Sequence, residues 1–189
     1  MAPRDSAATK HRILEAATTE FAQFGLAGAR VDRIANRAEA NKQLIYAYFT
    51  SKEGLFDATM EANILRLIDT IPFDADDLPE YARRLYDFAV AHPELVRLLR
   101  WHQLERPGVL NQLPQVAESH RHKAETLAKA QAAGTVSAAL PAGQLLALVL
   151  ALIHGSAEAT IGDDPDLLDR EALASGVRRL TAPTVADIA

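Results

Sequence analysis

The sequence predicts an all-α protein of about nine helices. Three observations carry that expectation. Apolar residues recur at three- and four-residue spacing through nearly the whole chain. No alternating strand pattern of useful length occurs, and no repeat is evident. Breaker signals at Gly25, His92-Pro93, Gly134 and Gly162-Asp163-Asp164-Pro165 fall between the periodic segments. The chain has 189 residues, and 49% are of the AVILMFWYC set, enough to bury a core and too apolar for a disordered polymer.

The first helix runs from about Thr9 with Ile13, Ala17, Phe21 and Phe24 on one face, and Gly25 is a natural stop. A short helix follows, with Val31, Ile34, Ala35 and Ala38 on one side. A tight turn at Glu39-Ala40 leads to Asn41, whose amide suits a helix N-cap. The next helix, Lys42 to Tyr48, is short and points Ile45 and Phe49 inward. Thr50-Ser51-Lys52-Glu53 has the T-x-x-E capping-box pattern. It opens a longer helix through Leu55, Phe56, Met60, Ile64, Leu67 and Ile68, which Ile71-Pro72-Phe73 and the acidic residues Asp74, Asp76 and Asp77 interrupt.

Leu78 to Ala91 is the next helix, with Tyr81, Leu85 and Phe88 on one face. Pro93 suits a first helical position and starts the face of Leu95, Leu98, Leu99 and His102. Arg106-Pro107-Gly108 is a loop. Pro114 to Ala133 follows, then the most apolar helix, Pro141 to Ile161, and a last helix carrying Leu168, Leu173, Val177 and Leu180.

Composition narrows the chemistry. There is no cysteine, which excludes disulfides, thiolate metal sites and cysteine nucleophiles. The first residues, MAPRDSAATKHR, lack the apolar core of a secretory signal. The longest apolar run, Leu145 to Ile153, is well short of the roughly 18 residues of a membrane span. A cytoplasmic protein with no membrane partner is the expectation. The net charge of −5 is unevenly placed: residues 1–54 carry 8 Lys+Arg and 6 Asp+Glu, and the remainder 12 and 19. A mildly basic head therefore precedes an acidic body.

Three short helices at the N-terminus raise a specific possibility. Two helices joined by a tight turn can seat the second in a DNA major groove. With Ile45 and Phe49 committed inward, Lys42, Gln43, Tyr46 and Ala47 fall on the outside, and Asn41 sits where its amide and free backbone N–H groups can meet a phosphate.

The order Ile13-Leu14, Phe21, Gly25, Val31, Ile34-Ala35, Tyr46, Phe49, Ser51-Lys52-Glu53 and Leu55 resembles the TetR family of one-component repressors. The resemblance covers about the first 55 residues. It implies a helix-turn-helix DNA-binding domain at 1–50, with the motif at about 30–49, and a helical ligand-binding and dimerisation domain at 51–189. It implies that Phe49 plugs the core, that Tyr46 faces DNA and contacts a phosphate through its hydroxyl, that Lys52 contacts a phosphate and that Tyr48 lies near the backbone. Three positions depart from the family pattern. Glu39 stands where glycine is usual, so it takes a positive φ or the turn differs. Leu44 replaces a hydroxyl residue that often touches DNA and is suited instead to a thymine methyl group. Arg30 replaces a capping hydroxyl and could contact a phosphate, while Asp32 favours the helix dipole.

Outside this head the signals are weaker. His120 and His122 lie about 200° apart on a helix, so no metal site is expected. Trp101 and His102, and His154 with Glu158, place polar groups on apolar faces. They are either satisfied core residues or polar contacts in an effector pocket, and His154 and Glu158 could otherwise bond across a subunit interface. Leu145, Leu148, Leu152, Leu173, Val177 and Leu180 form the expected dimer surface. The function expected is a homodimeric repressor that binds a pseudo-palindromic operator in double-stranded DNA. A small apolar or amphipathic effector, of unidentified structure, releases it, and no cofactor is expected. A helical enzyme and a helical protein-binding adaptor are the alternatives. The enzyme lacks a phosphate loop, a cysteine, ligand-spaced histidines and a Ser-His-Asp cluster.

Overall fold

The computed structural model describes residues 3–161 and 169–183, with side chains from residue 6 to 157 and from 169 to 183. Leu168 lies outside the described residues. Nine α-helices and one 3-10 turn make up the described secondary structure, without a strand. The helices are α1 (Pro3–Gly28), α2 (Val31–Arg37), α3 (Lys42–Phe49), α4 (Lys52–Thr70), α5 (Leu78–Ala91), α6 (Pro93–Glu105), α7 (Pro114–Ala132), α8 (Ala142–Ile161) and α9 (Arg170–Thr181). They form two compact units, residues 1–67 with 94–116, and residues 68–93 with 117–189.

The first unit is built on the apolar faces read from the sequence. Ile13, Ala17 and Phe21 of α1, Val31, Ile34 and Ala35 of α2, Ile45 and Phe49 of α3, Leu55, Phe56 and Met60 of α4, and Leu98 of α6 share one core. Phe21 and Phe56 meet with ring centroids 4.8 Å apart, within the range where aromatic pairs attract. Phe24 departs from the expected inward face. It is 37% exposed, and its ring instead lies under the Arg33 guanidinium, 4.2 Å from the centroid. The helical path breaks one residue later: Gly25 has φ 65° and ψ −177°, a left-handed region that favours glycine.

One turn corrects the sequence reading, and a second decides between the alternatives it left open. Thr50 has φ 66° and is the C-cap of α3, so it does not open α4. Ser51 does, its hydroxyl accepting from the Gly54 N–H at 3.0 Å. Glu53 is held below the usual carboxylate range by a hydrogen bond from its own backbone N–H, then by Ser51. A β-carbon at Gly54 would lie 2.3 Å from the Phe49 carbonyl oxygen, so a side chain is excluded there. Glu39 takes the positive φ, at 49°.

In the second unit α5, α8 and α9 pack on one another. Leu78, Tyr81, Ala82 and Tyr86 of α5 are buried, as are Leu145, Leu146, Val149 and Ile153 of α8 and Leu173, Ala174 and Val177 of α9. This corrects the expected dimer surface: Leu145, Leu173 and Val177 are core residues of the protomer. Their helices bury those stripes against each other and α5 within one chain. Leu148 and Leu152 point the other way and are 45% and 40% exposed, and Leu180 is half-buried. Arg83 bonds both Glu171 oxygens at 3.0 Å, and Arg170 reaches Asp87 at 2.9 Å, so two ion pairs join α5 to α9. Asp169 caps α9 through the Ala172 N–H at 2.7 Å.

Candidate nucleic-acid interface

The α2–turn–α3 segment is held from below by α1. Arg30 is the N-cap of α2 and its side chain makes no capping bond. The carboxylate of Glu20 fixes this end of the helix in another way, by holding the N-cap residue's own N–H and the Arg33 side chain. It is buried, accepts the Arg30 N–H at 2.8 Å and accepts Arg33 Nε at 2.7 Å. Arg12 donates to the Ala38 carbonyl at 3.2 Å and holds the far end of α2. The turn then closes through the Ala40 N–H to the Ala35 carbonyl at 2.9 Å. Asn41 caps α3 as its residue type predicts, its amide oxygen accepting the Gln43 N–H at 2.8 Å.

Eight residues of α3 leave a sharp division between faces. Ile45 and Phe49 are 1% and 6% exposed. Asn41, Lys42, Gln43, Tyr46 and Ala47 are exposed, and Leu44 is half-buried beside them. Arg30 is also exposed. Tyr48 is half-buried, and its hydroxyl is 3.0 Å from Ser6 Oγ of α1.

Both lysines singled out in the sequence have partners within the head. Lys42 Nζ lies 2.8 Å and 3.0 Å from the two oxygens of Asp32, and that hydrogen bond raises its pKa. Lys52 Nζ donates to the Ala27 and Ala29 carbonyls, each at 3.2 Å, tying α4 to the α1–α2 turn. An ammonium has three donors, so Lys52 keeps one for another acceptor.

Helix α6 belongs to the same unit and grips the same turn. Trp101 covers Gly25 so closely that a β-carbon there would lie 2.9 Å from its ring. The Glu105 carboxylate accepts the N–H groups of Leu26 and of Ala27, the latter at 3.2 Å. His102 is 2% exposed, packs on Phe56 and places Nε2 3.3 Å from Asp57. Burial lowers its pKa, and the neighbouring Asp57 opposes that shift. Asp57 also takes a two-pronged bond from Arg106, at 3.1 and 2.6 Å. Trp101 and His102 are thus occupied in the first unit, whereas His154 and Glu158 lie on α8 of the second. His154 is exposed, and the Glu158 side chain lies outside the described residues. The sequence reading missed Glu20, Ser6, Asp57 and Glu105. Glu20 had a signal: it falls on the Ile13, Ala17, Phe21 face, where a carboxylate needs a partner.

Two family models match the chain. That for bacterial regulatory proteins of the tetR family covers residues 13–59, and the tetracyclin repressor-like C-terminal domain covers 77–182. The chain is also similar to the HTH-type transcriptional repressor SCO4008 of Streptomyces coelicolor, with 47% identity over 157 residues, 82% of this chain and 81% of that one. The chain belongs to the TetR family. A second relative, the HTH-type transcriptional repressor NicS of Pseudomonas putida, is 35% identical over 106 residues, 52% of this chain and 50% of that one. Among solved structures, the transcriptional regulator SCO4942 from Streptomyces coelicolor superimposes with TM-score 0.77 at 34% identity, over 93% of this chain and 99% of that one. FadR from Bacillus subtilis, solved in complex with stearoyl-CoA, shares the fold at TM-score 0.71 and 18% identity, over 90% and 96%.

This TetR-family chain is a helix-turn-helix, DNA-binding transcription regulator, like the repressors it resembles. Among the described residues no helix is long and apolar enough to cross a membrane. The same residues hold no group of three or more His, Cys, Asp or Glu that could bind a metal ion.

Proposed function

We propose that this regulator is a homodimeric, ligand-responsive repressor whose two α3 helices enter successive major grooves of a pseudo-palindromic operator. The division of α3 into a buried Ile45–Phe49 side and an outward Lys42, Gln43, Tyr46 and Ala47 side supports this best. With its side chains an α-helix is about 10–12 Å across, which suits a major groove about 12 Å wide. Gln43 and Tyr46 read base edges, and Leu44 meets a thymine methyl group. Asn41, Ala47, Tyr48, Arg30 and the spare donor of Lys52 serve the sugar-phosphate backbone, and Lys42 stands on the same DNA-facing side with its charge held by Asp32.

One such helix covers too little surface to bind tightly alone, and a two-fold axis doubles it. The outer face of α8 supports the pairing. Leu148 and Leu152 are exposed there in register with Ala147, Ala151 and Gly155, and a β-carbon at Gly155 would meet nothing within 4 Å. A small apolar or amphipathic effector acts through the second unit, with His154 and Glu158 of α8 as its polar contacts. The amphipathic stearoyl-CoA held by FadR is a precedent for the class on this fold. Release follows only for an effector that binds the non-DNA-binding arrangement more tightly.

Selection of duplexes from a random-sequence library by the purified chain, followed by anisotropy titration, tests the reading. An enriched inverted repeat is expected, with Gln43→Ala relaxing base preference within each half. Leu152→Glu is expected to shift sedimentation toward the monomer and weaken operator binding together. A selection that enriches nothing, or a Gln43→Ala variant with unchanged preference at every position, overturns the assignment.

A further inference from the structure

The DNA-facing side of the head carries an acid that DNA binding does not need. Asp32 stands in the first turn of α2, its side chain 70% exposed, and it grips Lys42 with both oxygens at 2.8 and 3.0 Å. Lys42 opens α3 on the same face as Gln43 and Tyr46, and is itself 47% exposed. An ion pair this open to water adds little to folding stability. A carboxylate near a phosphate surface also works against association. Its position therefore calls for a role in binding.

Non-specific duplex binding rests almost wholly on phosphate neutralisation and counterion release. Base contacts carry sequence information, and phosphate contacts carry none directly. A lysine already paired with a carboxylate releases no net counterion when it nears DNA. On the proposed reading of α3, the hydrogen bonds of Gln43 and Tyr46 to base edges do not draw on Lys42. Asp32 thus weakens the sequence-blind part of binding and leaves the sequence-reading part in place.

We propose that Asp32 is a specificity-determining residue: by holding Lys42 it withholds that charge from phosphates and widens the gap between operator and non-specific DNA. The inference rests on the DNA-reading role of α3 given above. Once Lys42 is released, each protomer gains one effective phosphate contact. The slope of log K against log salt then steepens by about 0.9 per protomer.

The test uses the full chain, the duplex enriched by selection, and a scrambled duplex of the same composition, titrated by anisotropy across a series of KCl concentrations. Asp32→Asn is expected to tighten the scrambled duplex about tenfold with a steeper salt slope. The enriched duplex should tighten by less than about threefold, so the ratio of the two affinities falls. Glu39→Gln removes an exposed acid of the adjoining turn and is expected to leave that ratio within about twofold. In a Lys42→Gln background, Asp32→Asn is expected to change the ratio no further. Equal shifts on both duplexes, or a change in the affinity ratio on Asp32→Asn that persists without Lys42, overturn the proposal while leaving the DNA-binding reading intact. If wild-type protein enriches no sequence, both fall together.

Discussion

Glu20 offers the sharpest test of how the head is held. Its side chain is 7% exposed and serves both the Arg30 N–H at 2.8 Å and Arg33 Nε at 2.7 Å. Hydrogen bonds to a charged group are worth about 1.5–3 kcal/mol each, and a fully buried pair broken on one side costs about 3–5. Arg33 is 40% exposed, so once unpaired it regains water and the upper figure does not apply. Glu20→Ala should therefore cost about 3 kcal/mol. Glu20→Gln keeps an acceptor for the Arg30 N–H and loses the ionic part, and should cost about 1 kcal/mol. Urea unfolding followed by circular dichroism, at matched protein concentration, measures both, with the m-value unchanged. An alanine variant within about 0.5 kcal/mol of wild type would show that α2 does not hang on this carboxylate. Equal losses for Gln and Ala would refute the division into neutral and ionic parts.

Three further outcomes follow from the backbone and the buried groups. A glycine-to-alanine change inside a helix ordinarily stabilises by about 1 kcal/mol. Gly54→Ala should instead destabilise by about 2 kcal/mol through its clash with the Phe49 carbonyl, and a variant with a raised Tm would contradict that contact. Glu39→Gly relieves a positive φ of 49° and should raise Tm by about 2 °C; a drop would mean that the Glu39 side chain contributes more than its backbone strain costs. Burial pushes the Tyr81 hydroxyl up to about 12 from 10.0, so one of the four tyrosines should ionise late in an ultraviolet pH titration. The folded state holds this proton more tightly than the unfolded chain. Its contribution is therefore whole below pH 10 and is lost between pH 10 and about 12, about 3 kcal/mol in all. Ionisation of all four tyrosines together near pH 10 would exclude a buried Tyr81.

The helices, their order and the two faces of α3 could be read from the sequence because each depends on neighbours a turn or less away. Ile45 and Phe49 are one helical turn apart, so burying one face necessarily turns Lys42, Gln43 and Tyr46 outward. The Asn41 cap is equally local, since its acceptor and donor are two residues apart. A local rule also misled: T-x-x-E marks Thr50 as the cap of α4, but the chain needs Thr50 to end α3 at φ 66° and uses Ser51 instead. Spacing alone cannot show which of two adjacent hydroxyls the backbone leaves free.

By itself the sequence determined an all-α chain with a TetR-like head, and which residues of α3 face outward. Tertiary structure alone decided that Lys42 is held by Asp32, that Lys52 ties down Ala27 and Ala29, and that Glu20 anchors the start of α2 through the Arg30 N–H and the Arg33 side chain. It also decided that α6 joins the head through Trp101, His102 and Glu105, and that Leu145, Leu173 and Val177 are core. These pairings join residues as many as 79 positions apart. Helical periodicity states that a face will be buried, and only the packed chain states against what. The identity of that partner sets whether a charge meets DNA, a carboxylate or a helix end.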